Sequence, residues 1–285
     1  MLGIGFNEAT AQECEGQSLI TDLKLCDDVG FDFIEITYDC MWEYLQAGHT
    51  LDELAAWFTK HHLKPWVYNA LRFFNMRDEE GRRELEREID FIIKIADAIG
   101  MRIVVITPSN DVFDEDGNPY SIEEIRDEAV ESMRFLADKI KPYGIKLALE
   151  PIGLPNCSIN QYGTAYEIVE KVDRANVGLA LDTFHFHAMD SHWEDLESAD
   201  VSKLWVLHVN DSENLPIGQL KDCHRLWPGE GILDLKRTME ILKEKDFCGV
   251  CSIEVFRPEY YELSHEDNIR IAYDKTVSVL KKYFS

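Results

Sequence analysis

The chain has 285 residues, and 54 acidic against 29 basic side chains leave a formal charge of −25. So large an acidic excess repels polyanions and anionic membrane surfaces over a Debye length of roughly 8 Å, which argues against nucleic acid or a membrane as partner. The length admits one large α/β barrel or two ordinary domains.

No Pro/Ser/Gly tract or low-complexity segment separates two halves, so one compact domain over residues 1–285 is expected. The first residues, MLGIGFNEAT, enter a strand at once without a basic stretch, and no apolar run approaches roughly 18 residues. A soluble, cytoplasmic protein follows as the expectation. Seven cysteines, at 14, 26, 40, 157, 223, 248 and 251, are odd in number and scattered, as in a reducing compartment. Cys248 and Cys251 form a lone C-x-x-C at a strand entry and are expected to be buried structural thiols.

Eight strand-like runs alternate with helical patterns: Gly3–Phe6, Phe33–Ile36, Pro65–Asn69, Arg102–Ile106, Lys146–Glu150, Gly178–Asp182, Leu204–His208 and Val250–Glu254. Eight βα units predict a closed (β/α)8 TIM barrel of the α/β class. Thr50-x-x-Glu53 and Ser121-x-x-Glu124 read as capping boxes, and Gly30, Gly100 and Gly144 as helix ends. Ile122, Ile125, Ala129, Met133, Leu136 and Ile140 mark one helix face against the barrel. Strand-to-helix segments are long (Thr107–Tyr120, Thr183–His192, Asn210–Ile232, Phe256–Leu263), whereas helix-to-strand turns are short. Such barrels carry their active sites on the long-loop end.

Four runs close on a candidate metal ligand: IKLALE on Glu150, LALD on Asp182, LWVLH on His208 and VCSIE on Glu254. Alternation aims each inward, over small residues in the fifth, sixth and eighth strands (Ala148; Gly178 and Ala180; Ser252). A strand-end acid can also simply cap the next helix. Four together predict one divalent ion, and Zn, Mn, Co and Mg all suit the donor set. Such an ion would chelate a hydroxy-ketone and acidify the neighbouring C–H towards an enediolate, with Glu150 and Glu254 moving the proton. His185 and Arg225, in long rim loops, are placed to contact the substrate, and His187 is expected to pack or cap. The histidines at 49, 61, 62, 192, 224 and 265 are expected to be solvated. Asp114 to Asn118, DEDGN, reads as a surface turn because a calcium loop would need a glutamate and flanking helices that do not fit.

FNEAT at 6–10, HHLKP at 61–65, ALEPIG at 148–153, NVGLALDTFHFHAM at 176–189, RLWPGEGILDL at 225–235 and VFRPEYY at 255–261 resemble the xylose-isomerase-like TIM-barrel superfamily of sugar isomerases and epimerases, most closely its inosose isomerases. The resemblance implies a divalent metal on Glu150, Asp182, His208 and Glu254, substrate contacts from His185 and Arg225, and ketone transposition between inososes in inositol catabolism. The partner it implies is a small polyol or sugar. FRPEYY could close a neighbouring subunit's site or line its own, which mildly favours a homo-oligomer. Two departures stand out: ketose 3-epimerases carry a further glutamate where this chain has Asn156, and inosose isomerases carry a histidine where it has Leu154. Apurinic endonucleases of the superfamily need extra histidines where this chain has Asn69 and Pro108. A ketose 3-epimerase is the alternative enzyme, and a metal-stabilised sugar-binding scaffold the non-enzymatic one.

Overall fold

The computed structural model describes residues 2–110, 112–113 and 116–284. Its strands are β1 (Gly3–Asn7), β2 (Phe33–Thr37), β3 (Lys64–Leu71), β4 (Ile103–Ile106), β5 (Lys146–Leu149), β6 (Val177–Asp182), β7 (Leu204–Val209), β8 (Asp211–Ser212), β9 (Arg225–Leu226) and β10 (Val250–Ile253). β10 pairs in parallel with both β7 and β1, which closes an eight-stranded barrel in the order β1-β10-β7-β6-β5-β4-β3-β2. β8 and β9 make a separate antiparallel ribbon inside the long segment after β7. All eight expected barrel strands are present, each within two residues of its expected bounds.

The runs form central strands because both of their faces are covered. Leu147, Leu149, Leu179, Leu181, Leu207 and Ile253 point into the large core between sheet and helices. Val67, Ile103, Val105, Ala148, Ala180 and Val206 make a smaller cluster, at the alternate positions that face the barrel axis. Glycine at 178 is a requirement of that crowded interior: a Cβ there would lie 2.2 Å from the Lys203 carbonyl oxygen.

The Thr50–Glu53 and Ser121–Glu124 capping boxes are both formed. Gly30, Gly100 and Gly144 end their helices at φ of 109°, 79° and 67°, where a side chain would be strained. In the helix Ile122–Ile140, Ile125, Ala129, Met133, Leu136 and Ile140 are buried as expected, but Ile122 is 64% exposed. It is the first helical residue, and side chains lean towards the helix amino terminus, so it points past the packed face.

Two further expectations need correction. Cys251 is buried on β10, but Cys248 lies in the turn before that strand and is exposed, as is Cys223; all seven cysteines are free thiols. His265, expected in solvent, is buried at the start of the helix His265–Tyr283, with Nε2 2.6 Å from Oδ1 of Asp22. Of the expected DEDGN surface turn, Asp114 and Glu115 lie outside the described residues. Among the described residues, no helix is long and apolar enough to cross a membrane.

Candidate metal centre and active site

The four strand-end residues meet at the carboxyl mouth of the barrel. One ligand atom from each of Glu150, Asp182, His208 and Glu254 lies within 4.8 Å of all the others, and all four residues are buried. Register explains the convergence: Asp182 on β6 stands directly beside His208 on β7, and β10 pairs Ser252 with His208, which sets Glu254 one inward step above. Glu150 and Glu254 are the first residues past β5 and β10 rather than the last within them. Their backbone N–H groups still donate to Ile106 and Val209, so both continue the inward alternation.

Asp182 performs two tasks with two oxygens. Oδ1 accepts from the N–H groups of Phe184 (2.7 Å) and His185 (2.9 Å) and so caps the short helix Thr183–Ala188, while Oδ2 faces the site and accepts from Arg225 (2.6 Å) and Asn210 (2.9 Å). The capping role that a strand-end acid can fill is real, and it leaves the second oxygen directed into the site. Burial alone would raise its carboxyl, but the charge of Arg225 foremost, with the His185 and His208 imidazoles beside it, holds it well below the usual range.

His208 is fully buried between carboxylates, with Nδ1 2.6 Å from Glu150 and 3.6 Å from Glu254, and Nε2 3.2 Å from both oxygens of Glu35. Burial would depress the imidazole, but Glu254, Glu35 and Glu150 together hold it well above its ordinary value. The Glu254 carboxyl is pushed up to about 8, first by burial; His208 and Arg225 pull it down against the like charge of Glu150. Its Oε1 accepts from the side-chain amides of Asn7 (2.7 Å) and Asn69 (3.2 Å), and its Oε2 from Arg225 (3.0 Å).

Arg225, on β9, is 1% exposed and clamped between the rings of Phe184 and Phe256, each 4.9 Å from the guanidinium carbon. It donates to Asp182, Glu254 and Asp222, so the structure places it on the carboxylates themselves. It also lies 3.0 Å from Nε2 of His185. A guanidinium only donates, so that nitrogen accepts and the ring proton sits on Nδ1, which is buried without a partner. His187, two residues on, is half-buried near the end of the same short helix.

A cavity of about 600 Å³ opens onto this mouth, lined among others by Asn7, Gln12, Asn69, Arg72, Glu254 and Phe256. A larger hollow of about 1150 Å³ lies to one side, between Phe73, Arg77 and Glu128, and none of the candidate site residues lines it. FRPEYY packs on its own chain: Tyr260 stacks on Trp227 at 4.2 Å, and the Tyr261 hydroxyl donates to the Ala9 carbonyl. Leu154 is half-buried in the turn after β5, and Asn156 is exposed there.

Residues 23–283 match the model of a family described as xylose isomerase-like TIM barrel. The chain belongs to that family. Its relatives include the inosose isomerase of Halalkalibacterium halodurans, 47% identical over 98% of this chain and 97% of the relative, and that of Bacillus subtilis, 46% identical over 98% of each. Among solved structures, the crystal structure of the IOLI protein with a binding zinc atom superposes with a TM-score of 0.95 at 45% identity, covering all of both chains.

Several residues at this mouth give no clear signal in the sequence. Glu35, Asn7 and Asn210 are fully buried, and each touches one of the four convergent residues. The available signal was Glu35 itself, an acid between two isoleucines in a strand whose two faces both had to be buried. Asp222, which pairs with Arg225, gave no signal because its segment has no periodicity.

Proposed function

We propose that this chain is an inosose isomerase that moves the ketone of 2-keto-myo-inositol to an adjacent ring carbon, in inositol catabolism. The observation that carries this reading is the pair of buried carboxylates, Glu150 and Glu254, beside His208 Nδ1, in a chain 46–47% identical to proteins named inosose isomerase.

Glu150, Asp182, His208 and Glu254 would hold one divalent ion. Three carboxylates and an imidazole form a donor set fitted to Zn, Mn, Co or Mg, and their buried donor atoms already lie within 4.8 Å of one another. When bound, the ion supplies polarisation of the ketone and its neighbouring hydroxyl, which acidifies the C–H between them. The chain does the rest. Glu150 and Glu254 reach the substrate from different strands, so one removes the proton from the hydroxyl-bearing carbon and the other returns a proton to the former carbonyl carbon, while the hydroxyl proton passes to the former ketone oxygen. His185 offers its unpartnered Nδ1–H to a substrate oxygen, and Arg225 fixes the carboxylates and turns its charge to the same oxygens. Asn7 and Asn69 hold the Glu254 carboxylate in position.

The substrate is a small polyhydroxy ketone of a size the cavity of about 600 Å³ admits. One barrel spanning the chain carries one such site. The free thiols support a reducing compartment, the cytoplasm. The test is NMR of the metal-loaded protein in heavy water, with inososes, D-fructose and D-tagatose in parallel. Ketone movement in the inosose with deuterium incorporation is expected. C3 epimerisation of a ketose with an unmoved inosose ketone would assign a 3-epimerase instead, and binding without exchange a scaffold.

A further inference from the structure

Close to the mouth, three donors from separate elements converge out of water. Glu8 follows β1, Asp22 lies on the helix Leu19–Val29 and Cys40 on the helix Tyr38–Gln46. One ligand atom of each lies within 4.8 Å of the others; Glu8 and Asp22 are fully buried and Cys40 is 7% exposed. Their neighbours hold them in place. Glu8 Oε2 accepts from the Thr37 N–H at 2.8 Å, Asp22 Oδ1 lies 2.6 Å from His265 Nε2, and the Gln17 amide donates to Asp22 Oδ2 at 2.6 Å and reaches Cys40 Sγ at 3.1 Å. One atom stands out. Glu8 Oε1 is buried with no hydrogen-bond partner.

A buried carboxylate oxygen without a partner forfeits the whole of its hydration, so it calls for a proton or a cation. Burial and the neighbouring Asp22 push the Glu8 carboxyl well above the ordinary range, so a cation bound there would displace its proton. The sulfur decides which kind. Magnesium and calcium take oxygen ligands, whereas zinc takes thiolate and carboxylate together.

We propose that Glu8, Asp22 and Cys40 form a second divalent-cation site, of zinc type, distinct from the one at the strand ends. Burial and the charge of Glu8 keep the Cys40 thiol protonated on its own, so binding would release that proton to solvent as the sulfur–metal bond forms. An approach exists: Cys40, Gln17 and Thr37 line the same open cavity as Glu254. The ion would tie the first two helices to the end of β1, directly beside Asn7, whose amide holds Glu254.

The probe is cobalt(II), titrated into the metal-free full-length chain. The strand-end site has no sulfur, so a thiolate-to-cobalt charge-transfer band in the near ultraviolet reports the second site alone. Two equivalents bound per chain are expected, with a thiolate band that vanishes in Cys40→Ser and weakens at least tenfold in apparent affinity in Glu8→Gln. Binding of one or of two equivalents without a thiolate band, or a band that survives Cys40→Ser, as adventitious binding at Cys223 or Cys248 would give, each overturns the proposal. Failure of the strand-end site would appear separately, as a thiolate band with only one equivalent bound.

Discussion

Nε2 of His208 lies 3.2 Å from both carboxylate oxygens of Glu35, so it is Nδ1 that the ring turns to Glu150 and Glu254. A histidine that ligates a metal through one nitrogen commonly donates its other N–H to a carboxylate, which fixes ring and tautomer together. Glu35 is in that position, braced by Asn7 at 3.5 Å and Asn69 at 3.2 Å. Glu35→Gln should therefore weaken metal affinity by roughly 10- to 100-fold while the barrel stays folded. Competition with a chromophoric zinc chelator measures this, and unchanged affinity would remove Glu35 from the site.

The ligand set has its own test, and Asp182 shows how to design it. Replacing it by alanine would remove the cap of the helix Thr183–Ala188 as well as a ligand, at about 1 kcal/mol for the cap alone. Asp182→Asn keeps a capping oxygen and removes the charge. Asp182→Asn and His208→Ala are expected to lose stoichiometric metal by elemental analysis, whereas Asp222→Asn should retain it. Full metal content in both of the first two variants would refute the assignment.

His185 should separate from the ligands. Its Nδ1–H is a buried donor without a protein partner, so His185→Ala is expected to keep its metal and lose roughly 100-fold in kcat/KM, the scale for one donor to developing charge. Loss of metal in that variant would move His185 into the ligand set.

What could be read from the sequence followed the periodicity of its neighbours. Asp182, His208, Glu150 and Glu254 each end an apolar run, and a run of period two tells both where a strand stops and which way its last side chain points. Glu35 sits mid-run in FIEIT and ends nothing, so its inward aim became informative only once β2 was known to be covered on both faces. His265 was misplaced for a different reason. Its partner, Asp22, is 243 residues away, and only closure of the barrel brings the last helix against the first. Arg225 lies in the long segment after β7, but its aromatic clamp joins Phe184 to Phe256, two segments whose relation no local pattern encodes.

The interior packing of β6 makes a stability prediction. A Cβ at Gly178 would stand 2.2 Å from the Lys203 carbonyl oxygen and 2.9 Å from the Trp205 ring, and the nearer obstacle is backbone that cannot rotate away. Gly178→Ala should destabilise the barrel by about 1–3 kcal/mol, the usual cost of overpacking, although alanine is the better residue by backbone entropy. Urea denaturation gives the sign directly. A stability gain would mean that β6 shifts freely past β7, against the register that pairs Asp182 with His208.

His187 makes the pH prediction. Its imidazole is half-buried on the helix Thr183–Ala188, and burial depresses its pKa below the ordinary 6.5 although the nearby acids Asp190 and Asp211 pull it upward. A base depressed by folding binds its proton more readily in the unfolded chain. Its contribution is therefore fully present above pH 6.5 and is lost as pH falls from 6.5 through the folded-state value. Because the ring is only half-buried, solvent screens the effect and the loss should be modest. Urea midpoints of the parent and of His187→Gln, compared at about pH 8 and about pH 5.5, isolate it, since the other histidines titrate alike in both proteins. The parent should lose more stability on acidification than His187→Gln. An equal loss would mean that the two acids offset burial completely and that the imidazole titrates as it does in water.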